Sequence, residues 1–264
     1  MNNRKVMVMR ELGLTPVWRV RGQEIEGGSH GSAVSDQEDA ARNGSIKGNE
    51  RIEVAQASSV APASDAERRT IVLKMDWPEL KVAVAGCVAC PLSGTRTRTV
   101  FGVGDERASW LFVGEGPGAD EDRQGEPFVG QGGKLLDNML SAIALQRGKD
   151  VYIANIVKCR PPKNRNPEAK EAASCEPYLT RQIQLLKPKL IVALGKVAVQ
   201  NLLSSAASIV SLRGRLHDYH GTPLIVTYHP AYLLRNPTDK ARAWEDLCFA
   251  RASMATLQSA PGPS

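Results

Sequence analysis

Residues 110–118 read Trp110-Leu-Phe-Val-Gly114-Glu-Gly-Pro-Gly118, a short apolar run that stops in a glycine loop. A run of this length ended by glycine is the signature of a buried strand, and strands buried on both faces belong to parallel sheets. The pattern recurs downstream in Val151-Tyr-Ile-Ala-Asn-Ile-Val157, Lys189-Leu-Ile-Val-Ala-Leu194 and Leu224-Ile-Val-Thr-Tyr228. Helical spacing fills the intervals. Gly132 to Leu145 puts Leu135, Leu136, Met139, Leu140 and Ile143 on one side, and Pro167 to Leu186 has a proline suited to a first turn. Gly195 to Leu203 and Pro237 to Ala255 complete the set. Four strands alternating with helices predict an α/β fold, a parallel sheet covered on both faces.

In such a sheet, ligands bind beyond the carboxyl ends of the strands. The strand ends here are chemically distinctive. The first runs into Gly114–Gly118, the second ends near Asn155 and Cys159-Arg-Pro-Pro162, the third at Gly195, and the fourth at His229-Pro230. A glycine loop, an amide, a cysteine and a histidine therefore fall along one edge.

The 264 residues suit one sizeable domain with an appendage, and a 42% apolar content is enough for a core. The sequence divides at about residue 75. Between Trp18 and Trp77 there is no aromatic residue, and Arg21 to Glu67 is rich in small and polar residues, so it reads as a disordered linker. Val6 to Trp18 is more apolar and reads as a short docking element. Residues 1–75 are thus expected to be an extension and 76–264 the folded domain. Residues 1–80 carry 11 basic and 12 acidic side chains, against 23 and 16 in the remainder, so the excess positive charge sits on the domain. That suits either a polyanionic partner or plain solubility. No stretch has the ~20 apolar residues of a membrane span, and the apolar run Val6–Met9 is too short for a signal peptide. A monomer in the cytoplasm, associated with the nucleoid, is the expectation.

In a reducing compartment cysteines are ligands or core residues more often than disulfides. Cys87 and Cys90 form a C-x2-C pair followed by Pro91, while Cys159 and Cys175 stand far apart. Four thiolates suit Zn²⁺ or an iron–sulfur cluster, and the wide second pair fits a [4Fe–4S] cube at least as well as a single ion. Cys248 has no near partner and reads as core.

Taken together, Gly114–Gly125 (GEGPGADEDRQG), Pro127-Phe-Val-Gly130, Asn155-Ile-Val-Lys-Cys-Arg-Pro-Pro162, His229-Pro-Ala-Tyr-Leu-Leu-Arg-Asn-Pro237 and the four-cysteine spacing resemble the family 4, iron–sulfur uracil-DNA glycosylases. The resemblance spans about Leu80 to Ala250. It implies a three-layer α/β/α fold on a four-stranded parallel sheet, a [4Fe–4S] cluster on Cys87, Cys90, Cys159 and Cys175, and hydrolytic release of uracil from DNA. Gly132 departs from the family, which often has alanine there.

On that resemblance Phe128 is the aromatic that stacks on the flipped base. Asn155 offers a donor and an acceptor together, matching uracil O4 and N3–H and refusing cytosine. His229 would donate to uracil O2 as negative charge develops, assisted by main-chain N–H groups of a nest containing Gly116 and Gly118. Glu115 and Glu121 are the carboxylates that would position water or stabilise the cationic sugar. Leu233 and Leu234 would wedge into the gap left by the base, and Arg235 would meet phosphate. Three rivals are weaker. A metal-stabilised DNA-binding module leaves Phe128, Asn155 and His229 without a role. A relative that couples covalently to uracil-DNA through a loop histidine is opposed by Arg160–Pro167, which has none. A Rossmann enzyme would need G-x-G-x-x-G spacing, which Gly114–Gly118 lacks.

Overall fold

Each central strand alternates its side chains between two cores. In β2 (Trp110–Gly114), Leu111 and Val113 enter one apolar cluster while Trp110 and Phe112 enter the other. In β4 (Leu190–Leu194), Ile191 and Ala193 divide in the same way from Leu190, Val192 and Leu194. Both faces are buried, which is why these strands are unbroken apolar runs.

The computed structural model describes residues 64–259. Its sheet has six strands in the order β1-β3-β2-β4-β6-β5, with β1 at Val103–Gly104, β3 at Val151–Asn155, β5 at His217–Tyr219 and β6 at Thr222–Thr227. The four expected strands are its parallel centre: β2 pairs β3 and β4, and β4 pairs β6. The expectation of a purely parallel four-stranded sheet needs correction at both edges, where β1 and β5 pair antiparallel. These edge strands have two and three residues, too few to show a period.

The helices are α1 (Asp65–Val72), α2 (Trp77–Ala85), α3 (Ala119–Gln124), α4 (Gln131–Ala142), α5 (Ala169–Leu186), α6 (Lys196–Leu203), α7 (Ile209–Leu212), α8 (Pro230–Arg235) and α9 (Lys240–Ser259). Helix α5 begins two residues after Pro167, because the Glu171 carboxylate accepts the Glu168 N–H and closes the first turn there. The expected single helix from Pro237 is a 3-10 turn, Pro237–Asp239, followed by α9. Helix α1 enters the region read as linker. Ser64 Oγ accepts the Glu67 N–H at its start, Val72 is buried, and Arg68 donates to the Ser174 carbonyl on α5. A serine cap with acidic residues in the first turn was its signal. The rest of the linker reading, and the docking element at Val6–Trp18, lie outside the described residues.

Gly132 sits in the first turn of α4, and a Cβ there would stand 3.5 Å from Ala231, an ordinary contact. Gly132→Ala is therefore expected to raise the unfolding free energy by about 0.5–1 kcal/mol, read from the denaturant midpoint. A lowered midpoint would show that the space against Ala231 is not available.

Candidate active site

Strand order sets the position of the site. The chain passes from β2 to β3 on one side, then crosses to β4 on the other, so the crevice beyond β2 and β4 is the switch point of the sheet. A cleft of about 820 Å³ opens there, in the size class of ligand pockets. Glu115, Gly116, Gly118, Glu121, Phe128, Asn155, His229 and Arg235 all line it.

Asn155 is the last residue of β3, paired in register with Gly114. It is 2% exposed, and its Oδ1 is shut from water with no hydrogen-bond partner. A buried acceptor left unpaired costs about 1–3 kcal/mol, which a structural asparagine would avoid by bonding neighbouring backbone. Gly114 makes the arrangement possible, because a Cβ at that position would come within 2.5 Å of both Asn155 Oδ1 and the Phe128 ring. Phe128 holds φ at 55°, the left-handed region, which is strained for a bulky residue. Arg147 secures it by donating to the Pro127 and Phe128 carbonyls at 2.9 and 2.8 Å, while pairing with Asp137. Nothing in the sequence distinguishes Arg147 from a surface cation.

His229 caps α8. Its Nδ1 accepts the Ala231 N–H at 3.1 Å, so in the neutral ring Nε2 carries the proton. Burial, with a smaller contribution from the Arg235 cation, pulls its pKa down to about 4. The imidazole is thus a neutral donor at physiological pH. Its ring lies 5.4 Å from that of Phe128, tilted by 29°. Two stacking intervals of ~3.5 Å would be needed to admit a base between them, so His229 meets a ligand at its edge and not on its face.

The two carboxylates differ. Burial, the only cause of the shift among the described residues, raises the pKa of Glu115. Glu121 is committed elsewhere: Oε2 accepts the Gly118 N–H and Oε1 accepts those of Val129 and Gly130, each at 3.0 Å. It ties the glycine loop to the Phe128 loop. Glu121 thereby positions the two loops against each other. The Gly118 N–H of the expected nest is the one donated to Glu121 Oε2, while Gly118 itself lines the cleft.

Leu233 also needs correction. It is 1% exposed and packed in the core, whereas its neighbour Leu234 is 43% exposed. Adjacent helical residues point about 100° apart, so Leu233 enters the core while Leu234 faces outward. Arg235 is exposed beside the cleft. Tyr228 and Tyr232 stack at 5.5 Å on the same wall, an aromatic shelf that sequence reading missed.

The four cysteines are apart from this cleft. Cys87, Cys90, Cys159 and Cys175 line one small cavity. Among the described residues no three His, Cys, Asp or Glu side chains are grouped to hold a single metal ion. Arg96 donates to Cys159 Sγ at 3.1 Å and the Lys158 main-chain N–H to Cys175 Sγ at 3.3 Å. Burial pushes the Cys175 thiol up to about 12, so a thiolate there needs further positive charge. Four sulfurs around a shared space, with N–H donors already on two of them, fit a polynuclear centre. Cys248 is half-buried on α9 and stands outside this group. Among the described residues no helix is long and apolar enough to cross a membrane.

Comparison with known proteins agrees with this geometry. Residues 101–248 match the Uracil DNA glycosylase superfamily. The chain is 45% identical over 161 residues to the type-4 uracil-DNA glycosylase of Thermotoga maritima, covering 60% of this chain and 83% of the relative. It is 44% identical over 162 residues to that of Archaeoglobus fulgidus, covering 58% and 81%. For the Pyrobaculum aerophilum enzyme the values are 40% over 185 residues, 66% and 93%. Type-5 uracil-DNA glycosylases match at lower identity, 30% over 146 residues in Pyrobaculum aerophilum. With 83%, 81% and 93% of these three type-4 relatives covered at 40–45% identity, the chain belongs to the type-4 uracil-DNA glycosylases.

Proposed function

We propose that this protein takes uracil out of DNA, in base excision repair, by hydrolysing the N-glycosidic bond of a flipped uracil nucleotide. The observation that carries the reading is the buried, partnerless Oδ1 of Asn155 in the cleft. It accepts uracil N3–H, while the amide NH₂ donates to O4. Cytosine has an acceptor at N3 and a donor at C4, so it meets the amide wrongly on both atoms.

The base stacks on Phe128 with its O2 edge toward His229 Nε2–H. As the C1′–N1 bond breaks, its electron pair moves into the uracil ring, and the neutral imidazole and the Gly116 N–H stabilise the charge on O2. Glu115 takes a proton from the water that adds to C1′. Leu234 fills the space the base leaves, and Arg235 meets a phosphate. One chain carries every group this requires, which supports action as a monomer. The site of action would be the nucleoid in a reducing cytoplasm, where free thiolates persist.

Cys87, Cys90, Cys159 and Cys175 would hold a [4Fe–4S] cluster, which when bound cross-links the loop after α2, the end of β3 and helix α5. Iron analysis of purified protein is expected to give about four irons per chain and broad visible absorbance. A colourless active preparation with one zinc would replace the cluster by an ion. Cys159→Ala is expected to lower folded yield and colour together, because ligand loss removes metal-coupled folding energy. Normal yield and colour in that variant would remove Cys159 from the ligand set. Incubation with a uracil-containing oligonucleotide tests the function itself: free uracil and an alkali-labile site are expected, and folded, iron-loaded protein that released none would refute the reading.

A further inference from the structure

Lys158 is 1% exposed, and the reaction above makes no use of it. An ammonium in the core is unfavourable unless its donors are paired. It finds two acceptors, the Asn155 main-chain carbonyl at 2.9 Å and Gln182 Oε1 at 2.7 Å. Gln182 is itself wholly buried on α5, and its Nε2 donates to the Phe101 carbonyl at 2.9 Å. The chain Asn155–Lys158–Gln182–Phe101 thus runs behind the cleft, from the end of β3 across helix α5 to the segment that leads into β1. The first member is the residue whose side chain reads the base.

The side-chain Oδ1 of Asn155 has no hydrogen bond to fix its direction. Its aim depends on packing against Phe128 and Gly114 and on where the strand end places its Cα. The Ile156 and Val157 N–H groups donate to the Gly114 and Glu115 carbonyls at 3.0 and 3.2 Å, which holds one side of the Asn155–Ile156 peptide, and Lys158 adds a charge-assisted bond to its other side, the Asn155 carbonyl. We propose that Lys158 is a positioning residue for base recognition: a strut, completed by Gln182, that fixes the Asn155 peptide and so aims its amide at the base. The inference rests on Asn155 being the base reader. An apolar side chain of equal length would fill the same space, so packing alone does not explain a buried cation here. Directional bonds do, because a displacement of ~1 Å in a recognition group is enough to cost ~100-fold in rate.

Lys158→Met keeps the length and removes the donors. Three quantities separate the outcomes: single-turnover uracil release, inhibition by free uracil, and binding to uracil-free DNA of the same length. For the folded, iron-loaded variant, release is expected to fall roughly 10-fold or more and free uracil to inhibit roughly 10-fold more weakly, as for a lost charged hydrogen bond. Binding to uracil-free DNA should not change. Gln182→Met, which leaves the ammonium bonded to Asn155, should move the same two quantities in the same direction by less. It decides the matter by the same criterion if Lys158→Met yields no folded protein. Asn155→Ala is the control. Wild-type release in that variant would overturn the reading of Asn155. Loss of release there, combined with normal release and normal uracil inhibition in the lysine variant, would overturn the strut alone. A loss of release that only tracked the folded fraction, with uracil inhibition of the folded protein unchanged, would also overturn it, since that is what a merely structural lysine gives.

Discussion

Asn155→Asp is expected to lower uracil release at neutral pH by at least ~100-fold and to open a weak release of cytosine. A carboxylate keeps the shape of the amide, so the close fit among Gly114, Phe128 and residue 155 is preserved. It changes only the donor pattern. An ionised Asp still accepts from N3–H but loses the bond to O4 and repels that oxygen. An unpaired buried contact is worth about 1–3 kcal/mol, and 100-fold needs about 2.7, so loss plus repulsion is sufficient. The exocyclic amine of cytosine, by contrast, donates to a carboxylate. The site adds a second test. A carboxyl group at so buried a position has its pKa raised, and the protonated acid donates and accepts just as the amide does. Uracil release by the variant should therefore recover as pH falls. Wild-type uracil release by a folded, iron-loaded variant at neutral pH would mean that Asn155 does not read the base.

The asparagine was legible because it interrupts an apolar strand next to the sheet edge where ligands bind. The parallel centre was legible for a related reason: a strand buried on both faces must be apolar at every position, and Trp110–Val113 is. The edge strands have no such requirement. Val103–Gly104 and His217–Tyr219 are set by their partners β3 and β6, and their own residues show nothing periodic. The same limit applies within the site. That Glu121 is occupied depends on Val129 and Gly130, eight and nine residues away, and that Leu233 rather than Leu234 is buried depends on the phase of a six-residue helix. Lys158 was hidden most completely. Between Val157 and Cys159 it reads as the first charged residue after a strand, and only the tertiary fold brings Gln182, 24 residues on, to its ammonium.

Glu115→Gln is expected to lower uracil release by ~10²–10⁴-fold, the range for loss of a general base. Its environment predicts the form of the pH profile as well as the size of the loss. Burial holds the Glu115 carboxyl above the usual carboxylate range, and only the ionised form accepts a proton from water. Release by the native protein should therefore rise with pH through that raised pKa and then level. His229 adds no further limb near neutral pH, because burial holds its pKa down at about 4. In the glutamine variant the acid limb should vanish, leaving a low and flat rate. Stability should move the other way. A carboxyl whose folded pKa exceeds its unfolded value binds more protons in the folded state, so its contribution is present at low pH and is lost as pH rises through the folded pKa. Native protein at neutral pH thus carries an ionised, poorly solvated Glu115, and the neutral amide removes that burden. The variant is expected to melt at a higher temperature at pH 7 while turning over far more slowly. A variant that kept the acid limb would assign the titration to another group. One that melted lower and lost activity in proportion would make Glu115 a structural residue, and the water would then need a different base.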